Sequence, residues 1–225
     1  MKILRFESAD QVAEEAALHI AQAARKAIFD HGRFTMAISG GRTPWQMLKR
    51  LTKEKLSWEK IFIFQVDERI APDGHPDRNL TQLFKTVEGS GLMTRINIFH
   101  MHVTADNLDE ACDDYVKTIN EITETGQFDL IHLGMGTDGH TASLIPNDAV
   151  CAISDRDVAL TENSYQGRIR MTLTYPLINR AKEILWVITG QEKQQMFERF
   201  LSGDVTIPAG VIDKNKALVF TDLKS

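Results

Sequence analysis

The sequence predicts an α/β protein with a mainly parallel sheet and helices on both faces. Short runs rich in β-branched and aromatic residues alternate along the chain with longer helical patterns, which is typical of successive βαβ units. Of the 225 residues, 43% are apolar, enough for a substantial core, and no repeat or linker interrupts them. We therefore expect one domain over residues 1–225, with a small β-rich insertion near 150–175.

The predicted elements follow one another in a regular order. Strands are expected at ILRF, FTMAIS, IFIFQV, INIF, FDLIHL, RIRMTLT and EILWVIT. Helices are expected at 8–30, 43–53, 79–87, 107–124 and 191–202. The first helix starts with Ser8, and Gln11 three residues later completes the pattern of a capping box. Its apolar stripe consists of Ala16, Ile20, Ala24 and Ala27.

Composition indicates which partners and which cellular compartment to expect. The net charge of −5 argues against nucleic acid or an anionic membrane as a partner. Cys112 and Cys151 are the two cysteines, and they form no CxxC motif, which suits a reducing compartment. The first residues lack the apolar core of a signal peptide, and no apolar run reaches the length of about 20 residues that a membrane span needs. We expect a cytoplasmic protein.

Four polar clusters stand at the carboxyl ends of predicted strands. They are SGGRT (39–43), DER (67–69), GMGTDGHTASLIP (134–146) and GQEK (190–193). Because ligands of open α/β sheets bind beyond this edge, we expect the clusters to form one site.

The 134–146 loop places Asp138 and His140 among glycines. An imidazole in water has a pKa of about 6.5, so a histidine here can accept or donate a proton near neutrality. The glycines would allow a tight turn and leave backbone N–H groups free for an oxyanion or phosphate. The alternative is that they serve the turn alone and that His140 caps the next helix.

The 39–43 cluster resembles an anion cradle. Thr43 is expected as the helix N-cap and Pro44 as the first helical residue, so that Gly40 and Gly41 direct N–H groups just ahead of a helix. Neither GxGxxG nor GxxxxGK[ST] is present, which favours a small phosphorylated molecule over a dinucleotide or a nucleoside triphosphate. Basic side chains that would complete the site are Arg42, Arg170 and Lys193. A plain strand-to-helix turn is the alternative.

The side chains of the DER cluster (67–69) alternate between the two faces of the strand. Strand alternation puts Asp67 and Arg69 on one side, toward the site, where they would bind hydroxyls and stabilise developing negative charge. A structural salt bridge to the following loop, APDGHPDRN, accounts for Glu68.

Other polar residues are weaker candidates. His100 and His102 lack a third ligand at a convincing spacing, so no metal site is expected. His132 is interpreted as a core histidine whose nitrogens are hydrogen-bonded. Ser143 has no GxSxG elbow and is not expected to be a nucleophile.

Together these motifs resemble the 6-phosphogluconolactonase family. The matching segments, in the family's order, are SGGRTP (39–44), VDER (66–69), GMGTDGHTASLIP (134–146), RIRMTLT (168–174) and GQEK (190–193). The resemblance implies a Rossmann-like fold of the NagB/RpiA type, shared with sugar-phosphate isomerases. It also implies hydrolysis of 6-phospho-D-glucono-1,5-lactone in the oxidative pentose phosphate pathway, without a cofactor or metal, and a functional link to glucose-6-phosphate dehydrogenase.

The resemblance also assigns residues. It implies that His140 is the catalytic histidine and that Arg69, Arg170 and Lys193 surround the substrate. In the expected mechanism His140 activates water, Asp138 or Asp67 orients the imidazole, and Arg69 with loop N–H groups stabilises the oxyanion. The substrate phosphate is expected at Gly40, Gly41, Arg170 and Lys193. Arg42 departs from the family pattern, which often has serine there.

Two alternatives remain. A glucosamine-6-phosphate deaminase shares the SGG..TP turn and a DGH loop, but its loop resembles DGHIAFNEP, and Ile145 stands where its glutamate would be. An isoleucine cannot transfer protons. A sugar-phosphate-binding protein without turnover would bind phosphosugars but show no rate above spontaneous lactone hydrolysis.

Overall fold

Strands and helices alternate along residues 1–224, which are the residues that this computed structural model describes. The strands are β1 (Lys2–Arg5), β2 (Phe34–Ile38), β3 (Ile61–Gln65), β4 (Asp67–Arg69), β5 (Asn97–Phe99), β6 (Leu130–Leu133), β7 (Val158–Leu160), β8 (Arg170–Leu173), β9 (Ile184–Ile188) and β10 (Ala217–Thr221). The α-helices are α1 (Ala9–His31), α2 (Arg42–Leu51), α3 (Asn79–Val87), α4 (Leu108–Thr123), α5 (Tyr175–Arg180), α6 (Gln194–Ser202) and α7 (Pro208–Val211). Single 3-10 turns lie at Trp58–Lys60, Ala149–Ala152 and Gln191–Lys193.

Seven strands form one sheet in the order β1-β10-β9-β6-β2-β3-β5, and every pairing in it is parallel. From β2 the chain first builds outward through β3 and β5, then returns to place β6 on the other side of β2. The strand order therefore reverses between β2 and β6. In open α/β sheets this switch point is where ligands bind, at the carboxyl ends of the strands. The predicted fold class is confirmed.

The sheet has a separate hydrophobic core on each face. One core contains the buried residues of α1, α2 and α3, and the other contains those of α4, α5 and α6. Within β2, Met36 belongs to the first core and Ala37 to the second, as strand alternation requires. Both faces are thus covered, which explains why the central strands are apolar at nearly every position.

The first helix follows its sequence signals. The Ser8 hydroxyl accepts the Gln11 N–H at 3.2 Å, and the Gln11 side chain accepts the Glu7 N–H at 3.0 Å. The stripe that includes Ala16 and Ile20 is buried against the sheet. Helix α1 ends at His31, and the C-cap residue Gly32 has a left-handed φ of 84°.

A second, antiparallel sheet has the order β4-β8-β7. Two of its strands lie in the predicted β-rich insertion at 150–175, but the third is β4, the DER segment. The chain leaves the large sheet at Val66 and pairs Asp67 with Thr172, Glu68 with Met171 and Arg69 with Arg170. We predicted no strand at β4, β7 or β10 and no helix at α5 or α7. Four of these elements are too short for a periodic pattern, whereas β10, which pairs with β1 and β9, was missed although it is apolar.

Glu68 is fully buried and joins β4 to α3. Its carboxylate accepts the N–H groups of Asn79 at 2.7 Å and Leu80 at 2.8 Å, the first two residues of α3. It also accepts the Gln65 side-chain amide at 2.8 Å and lies 3.6 Å from the buried Arg78 guanidinium. The predicted structural link between Glu68 and the following loop is therefore confirmed.

His132 lies in β6, fully buried beneath the switch point. The Ser39 N–H donates to its Nδ1 at 3.3 Å, while Nε2 has no partner among residues 1–224. The interpretation as a core residue is correct, but only one of the two nitrogens is hydrogen-bonded. Burial lowers the pKa of His132 to about 3.

No helix within residues 1–224 combines the length and the apolar character that crossing a membrane would require.

We expect Glu68→Gln to destabilise the fold by about 2–4 kcal/mol, because it removes a buried charge that caps α3 and pairs with Arg78. Urea unfolding measures this free energy. Glu54→Gln, which alters a more exposed pair with Arg25, is the control and should change it by less than about 0.5 kcal/mol. Equal, small effects of both variants would show that Glu68 is not structurally important.

We expect His132 to make the stability depend on pH on the acid side. The unfolded chain binds a proton at the ordinary histidine pKa of about 6.5, whereas folded His132 resists protonation until about pH 3. Stability is therefore lost as pH falls through this window, by up to about 1.4 kcal/mol per pH unit. Urea unfolding of wild type and His132→Asn between pH 7 and 4 measures it. The two stability curves should converge on acidification, and parallel curves would contradict the prediction.

Candidate active site

A cleft of about 270 Å³ opens at the switch point between β2 and β6. Nine of the ten predicted site residues line it, and Asp138 lies directly behind one of them, His140. The nine are Gly40, Gly41, Arg42, Thr43, Asp67, Arg69, His140, Arg170 and Lys193. The four polar clusters therefore meet in one place, as their position at the strand ends predicts.

The turn between β2 and α2 forms one wall. Gly41 is the N-cap residue with a φ of 139°, and the helix begins at Arg42. A Cβ atom on Gly40 would lie 2.1 Å from Oδ1 of Asn79, so this close approach requires glycine. The first N–H groups of α2 lack helical partners and point an electropositive helix end toward the cleft.

The prediction that Thr43 caps α2 is wrong. Thr43 lies inside the first turn, and its hydroxyl makes a 2.7 Å hydrogen bond with the Thr189 hydroxyl at the end of β9. This bond connects the first turn of α2 to the residue after β9. Because the helix starts at Arg42 with Gly41 as its N-cap, Pro44 is not the first helical residue either.

His140 and Asp138 form a closely coupled pair. The Asp138 Oδ1 atom is 2.6 Å from His140 Nδ1 and also accepts the His140 backbone N–H at 3.1 Å. Burial alone would raise the pKa of Asp138, but the hydrogen bonds to His140 and Tyr165 outweigh it and hold that pKa well below its usual range. An ionised carboxylate only accepts hydrogen bonds, so Nδ1 carries the proton in the neutral imidazole.

The other ring nitrogen, Nε2, is the basic atom of neutral His140. It has no hydrogen-bond partner in the described part of the chain, and the ring lines the cleft. Gly136 makes room for this arrangement, because a Cβ atom there would lie 2.1 Å from His140 Nδ1. The glycine loop thus packs directly against the imidazole instead of forming only a turn.

Arg69 and Arg170 are directly opposite each other on β4 and β8. Like charges at such positions repel, and each guanidinium has a buried Nε without a partner among residues 1–224. Arg69 donates to the Asn79 side chain and the Asp77 carbonyl, both at 2.8 Å. Burial lowers the pKa of Arg170, although Asp67 opposes this effect. The pair provides a positive wall suited to an anion.

Asp67 supports this wall and makes no hydrogen bond to His140 in the described part of the chain. Its Oδ2 accepts the buried Ser143 hydroxyl at 2.6 Å, and its backbone carbonyl accepts the Asn79 amide at 2.9 Å. The fully buried Ser143 hydroxyl is thus engaged with Asp67.

Lys193 lines the cleft after β9, near Arg42 at the start of α2. Burial lowers the pKa of its ammonium group, while Glu192 and Asp222 oppose that shift. Glu192 also lines the cleft, so this side carries mixed charge. Arg42 is exposed at the rim.

Sequence reasoning missed two residues of the site. Asn79 holds Arg69 and Asp67, and Tyr165 contacts both Asp138 and His140. No local motif identifies them, because their partners are distant in sequence.

No cluster of three or more His, Cys, Asp or Glu side chains within residues 1–224 has an arrangement suited to a metal ion. His100 and His102 lie near each other, with ring centroids 4.5 Å apart, but away from the cleft.

Comparisons with known proteins show the family to which this chain is similar. Residues 7–220 match the model of the family described as glucosamine-6-phosphate isomerases/6-phosphogluconolactonase. A 6-phosphogluconolactonase of Synechocystis sp. is 35% identical over 186 residues, which cover 80% of this chain and 77% of the relative.

Solved structures have the same fold. The crystal structure of a 6-phosphogluconolactonase from Thermotoga maritima has a TM-score of 0.81 and 28% identity, covering 97% of this chain and 96% of its own. A monomeric glucosamine-6-phosphate deaminase of the NagB superfamily has a TM-score of 0.82 at 18% identity, covering 98% and 97%, which shows the fold alone. This chain therefore belongs to the glucosamine-6-phosphate isomerase/6-phosphogluconolactonase family.

Proposed function

We propose that this protein hydrolyses 6-phospho-D-glucono-1,5-lactone to 6-phospho-D-gluconate, the second step of the oxidative pentose phosphate pathway. The observation that carries the proposal is that one cleft combines a free imidazole nitrogen with a wall of cationic groups. The first would activate water, and the second would hold a phosphorylated, anionic substrate. Relatives of this chain named 6-phosphogluconolactonase support the same reaction.

In the proposed mechanism, neutral His140 takes a proton from water through Nε2 as the water oxygen attacks the lactone carbonyl carbon. Asp138 keeps Nδ1 protonated and stabilises the imidazolium that forms. The tetrahedral intermediate then collapses, the bond from carbon 1 to the ring oxygen breaks, and His140 returns the proton to that oxygen. The step needs water and a base, and neither a cofactor nor a metal takes part.

In this proposal one cationic group takes part in the chemical step and the others bind the phosphate. Arg69 and loop N–H groups stabilise the oxyanion, typically worth about 3–4 kcal/mol per donor. The phosphate is bound by the N–H groups of Gly40 and Gly41 together with Arg170 and Lys193. Arg42 and Thr43 flank the phosphate, and Asp67 binds substrate hydroxyls. Binding the remote phosphate would position the lactone for attack.

The lactone arises when carbon 1 of glucose 6-phosphate is oxidised, so we propose a functional link to glucose-6-phosphate dehydrogenase in the cytoplasm. The net charge of −5 supports a small-molecule substrate over nucleic acid or an anionic membrane.

The decisive assay follows hydrolysis of freshly made lactone, corrected for the spontaneous rate. A sugar-phosphate-binding protein without turnover would bind 6-phosphogluconate but give no excess rate. A deaminase would release ammonia from glucosamine 6-phosphate, which we do not expect, because Ile145 is apolar and buried.

We expect His140→Asn to lower kcat by roughly 10²–10⁴-fold, the usual range for a general base, while 6-phosphogluconate still binds. His102→Asn, at an exposed histidine outside the cleft, is the matched control and should keep wild-type rates. Initial lactonase rates and product titrations measure both effects. Near-wild-type turnover in His140→Asn would remove this residue from the mechanism.

We expect Arg170→Ala and Lys193→Ala to lower kcat/KM for the phosphorylated lactone by roughly 10–100-fold, the effect of losing a charge-assisted hydrogen bond. Weak activity on unphosphorylated gluconolactone should change little. Arg50→Ala, at the far end of α2, controls for net charge. An equal loss on both substrates would place the mutated residue in the chemical step instead of the phosphate site.

A further inference from the structure

We propose that Tyr165 is a positioning residue for the Asp138–His140 pair and that its ring also supports Arg170. The inference rests on the proposed function, since it assigns a further residue to the same site. Tyr165 lies in the segment between β7 and β8 and is outside every motif that the sequence analysis singled out.

The Tyr165 hydroxyl lies close to both members of the acid/base pair. It donates to Asp138 Oδ2 at 3.0 Å and lies 3.4 Å from His140 Nδ1. The two carboxylate oxygens of Asp138 thus have different partners. Oδ1 accepts a hydrogen bond from the imidazole, and Oδ2 accepts one from the phenol. Because Oδ2 is engaged, the carboxylate is held against rotation with Oδ1 facing Nδ1.

The charges fit this direction of hydrogen bonding. Burial raises the pKa of Tyr165, and the neighbouring Asp138 carboxylate raises it further, so the phenol stays protonated and remains a donor. The imidazole and phenol rings also pack edge to face, with centroids 5.2 Å apart. Tyr165 thus restrains both the carboxylate and the plane of the imidazole.

The ring of Tyr165 contacts a second functional group. The Arg170 guanidinium carbon lies 5.0 Å from the ring centroid, and an Arg170 nitrogen donates to the Tyr165 carbonyl at 3.3 Å. A cation over an aromatic face is attracted to it. The hydroxyl therefore acts on Asp138, while the ring contacts both the His140 imidazole and the Arg170 guanidinium.

The backbone holds Tyr165 in this place. Its N–H donates to the Arg168 carbonyl at 2.9 Å, and Gln166 and Gly167 between them have left-handed φ values of 52° and 80°. This tight turn leads directly into β8 and so ties Tyr165 to the strand that carries Arg170. A flexible loop would not maintain contacts with two separate groups.

The two parts of the side chain can be tested separately. We expect Tyr165→Phe to lower kcat by roughly tenfold, the effect of losing a hydrogen bond to a charged group, with KM within about twofold. Tyr165→Leu should in addition raise KM for the phosphorylated lactone roughly two- to fivefold, because the cation–π contact is lost. Tyr175→Phe, whose hydroxyl donates to the Pro208 carbonyl outside the cleft, is the control.

A double-mutant cycle identifies the route of the effect. If the Tyr165 hydroxyl acts through Asp138, Tyr165→Phe should lower kcat less than about twofold when Asp138→Asn is already present. An equal loss in both backgrounds would overturn the proposal, because it would show that the hydroxyl acts independently of Asp138.

Nitrogen NMR of the His140 ring near pH 8 provides a readout that needs no lactone. In the wild-type protein the Nδ1–H tautomer should dominate, and Tyr165→Phe should reduce its share, whereas Tyr175→Phe should not. An unchanged tautomer ratio in Tyr165→Phe would overturn the positioning role. If the wild-type protein lacked lactonase activity, the proposed function would fail, and this measurement would still decide how Tyr165 acts on the pair.

Discussion

The buried carboxylate of Glu68 is the interaction on which the geometry of the site depends. It fixes the start of α3 through the N–H groups of Asn79 and Leu80, while its own backbone belongs to β4. The residues on either side of Glu68 along the strand are Asp67 and Arg69, and both contact the Asn79 side chain. A single unexposed acid therefore orients two cleft residues without entering the cleft, because a fully hydrogen-bonded buried charge permits little local movement.

The opposed guanidinium groups of Arg69 and Arg170 show how this framework acquires an affinity for anions. Backbone pairing of β4 with β8 forces the two cations together, and their repulsion is reduced when an anion lies between them. Asp67 offsets part of this charge, but its oxygens already accept hydrogen bonds from Ser143 and Asn79. The folded protein therefore retains unpaired positive charge at the cleft, where a phosphorylated substrate would neutralise it.

Local patterns predicted the sheet, the main helices and the four strand-end clusters, because apolar periodicity and glycine-rich turns are properties of neighbouring residues. They also separated Glu68 from Asp67 and Arg69, since alternation along a strand is local too. Strand β10 was missed although it is apolar, whereas the failures at single site residues involve distant partners. Thr43 was misplaced as a cap because its hydroxyl bonds Thr189, and Tyr165 was overlooked because Asp138 is 27 positions away. Such pairings depend on tertiary packing, which a single sequence does not display.

Lactonases and deaminases can have the same fold because the sheet forms a common framework, whereas the loops at its edge differ. A deaminase structure shares this fold at a TM-score of 0.82, so the sheet and its switch point do not select the reaction. Selection has to come from side chains that the loops add. Here the loop after β6 carries Asp138 and His140, and the buried, apolar Ile145 stands where the resemblance to deaminases implies a glutamate. A proton can be exchanged with water through one imidazole, whereas isomerisation needs a second acid/base group that Ile145 cannot supply.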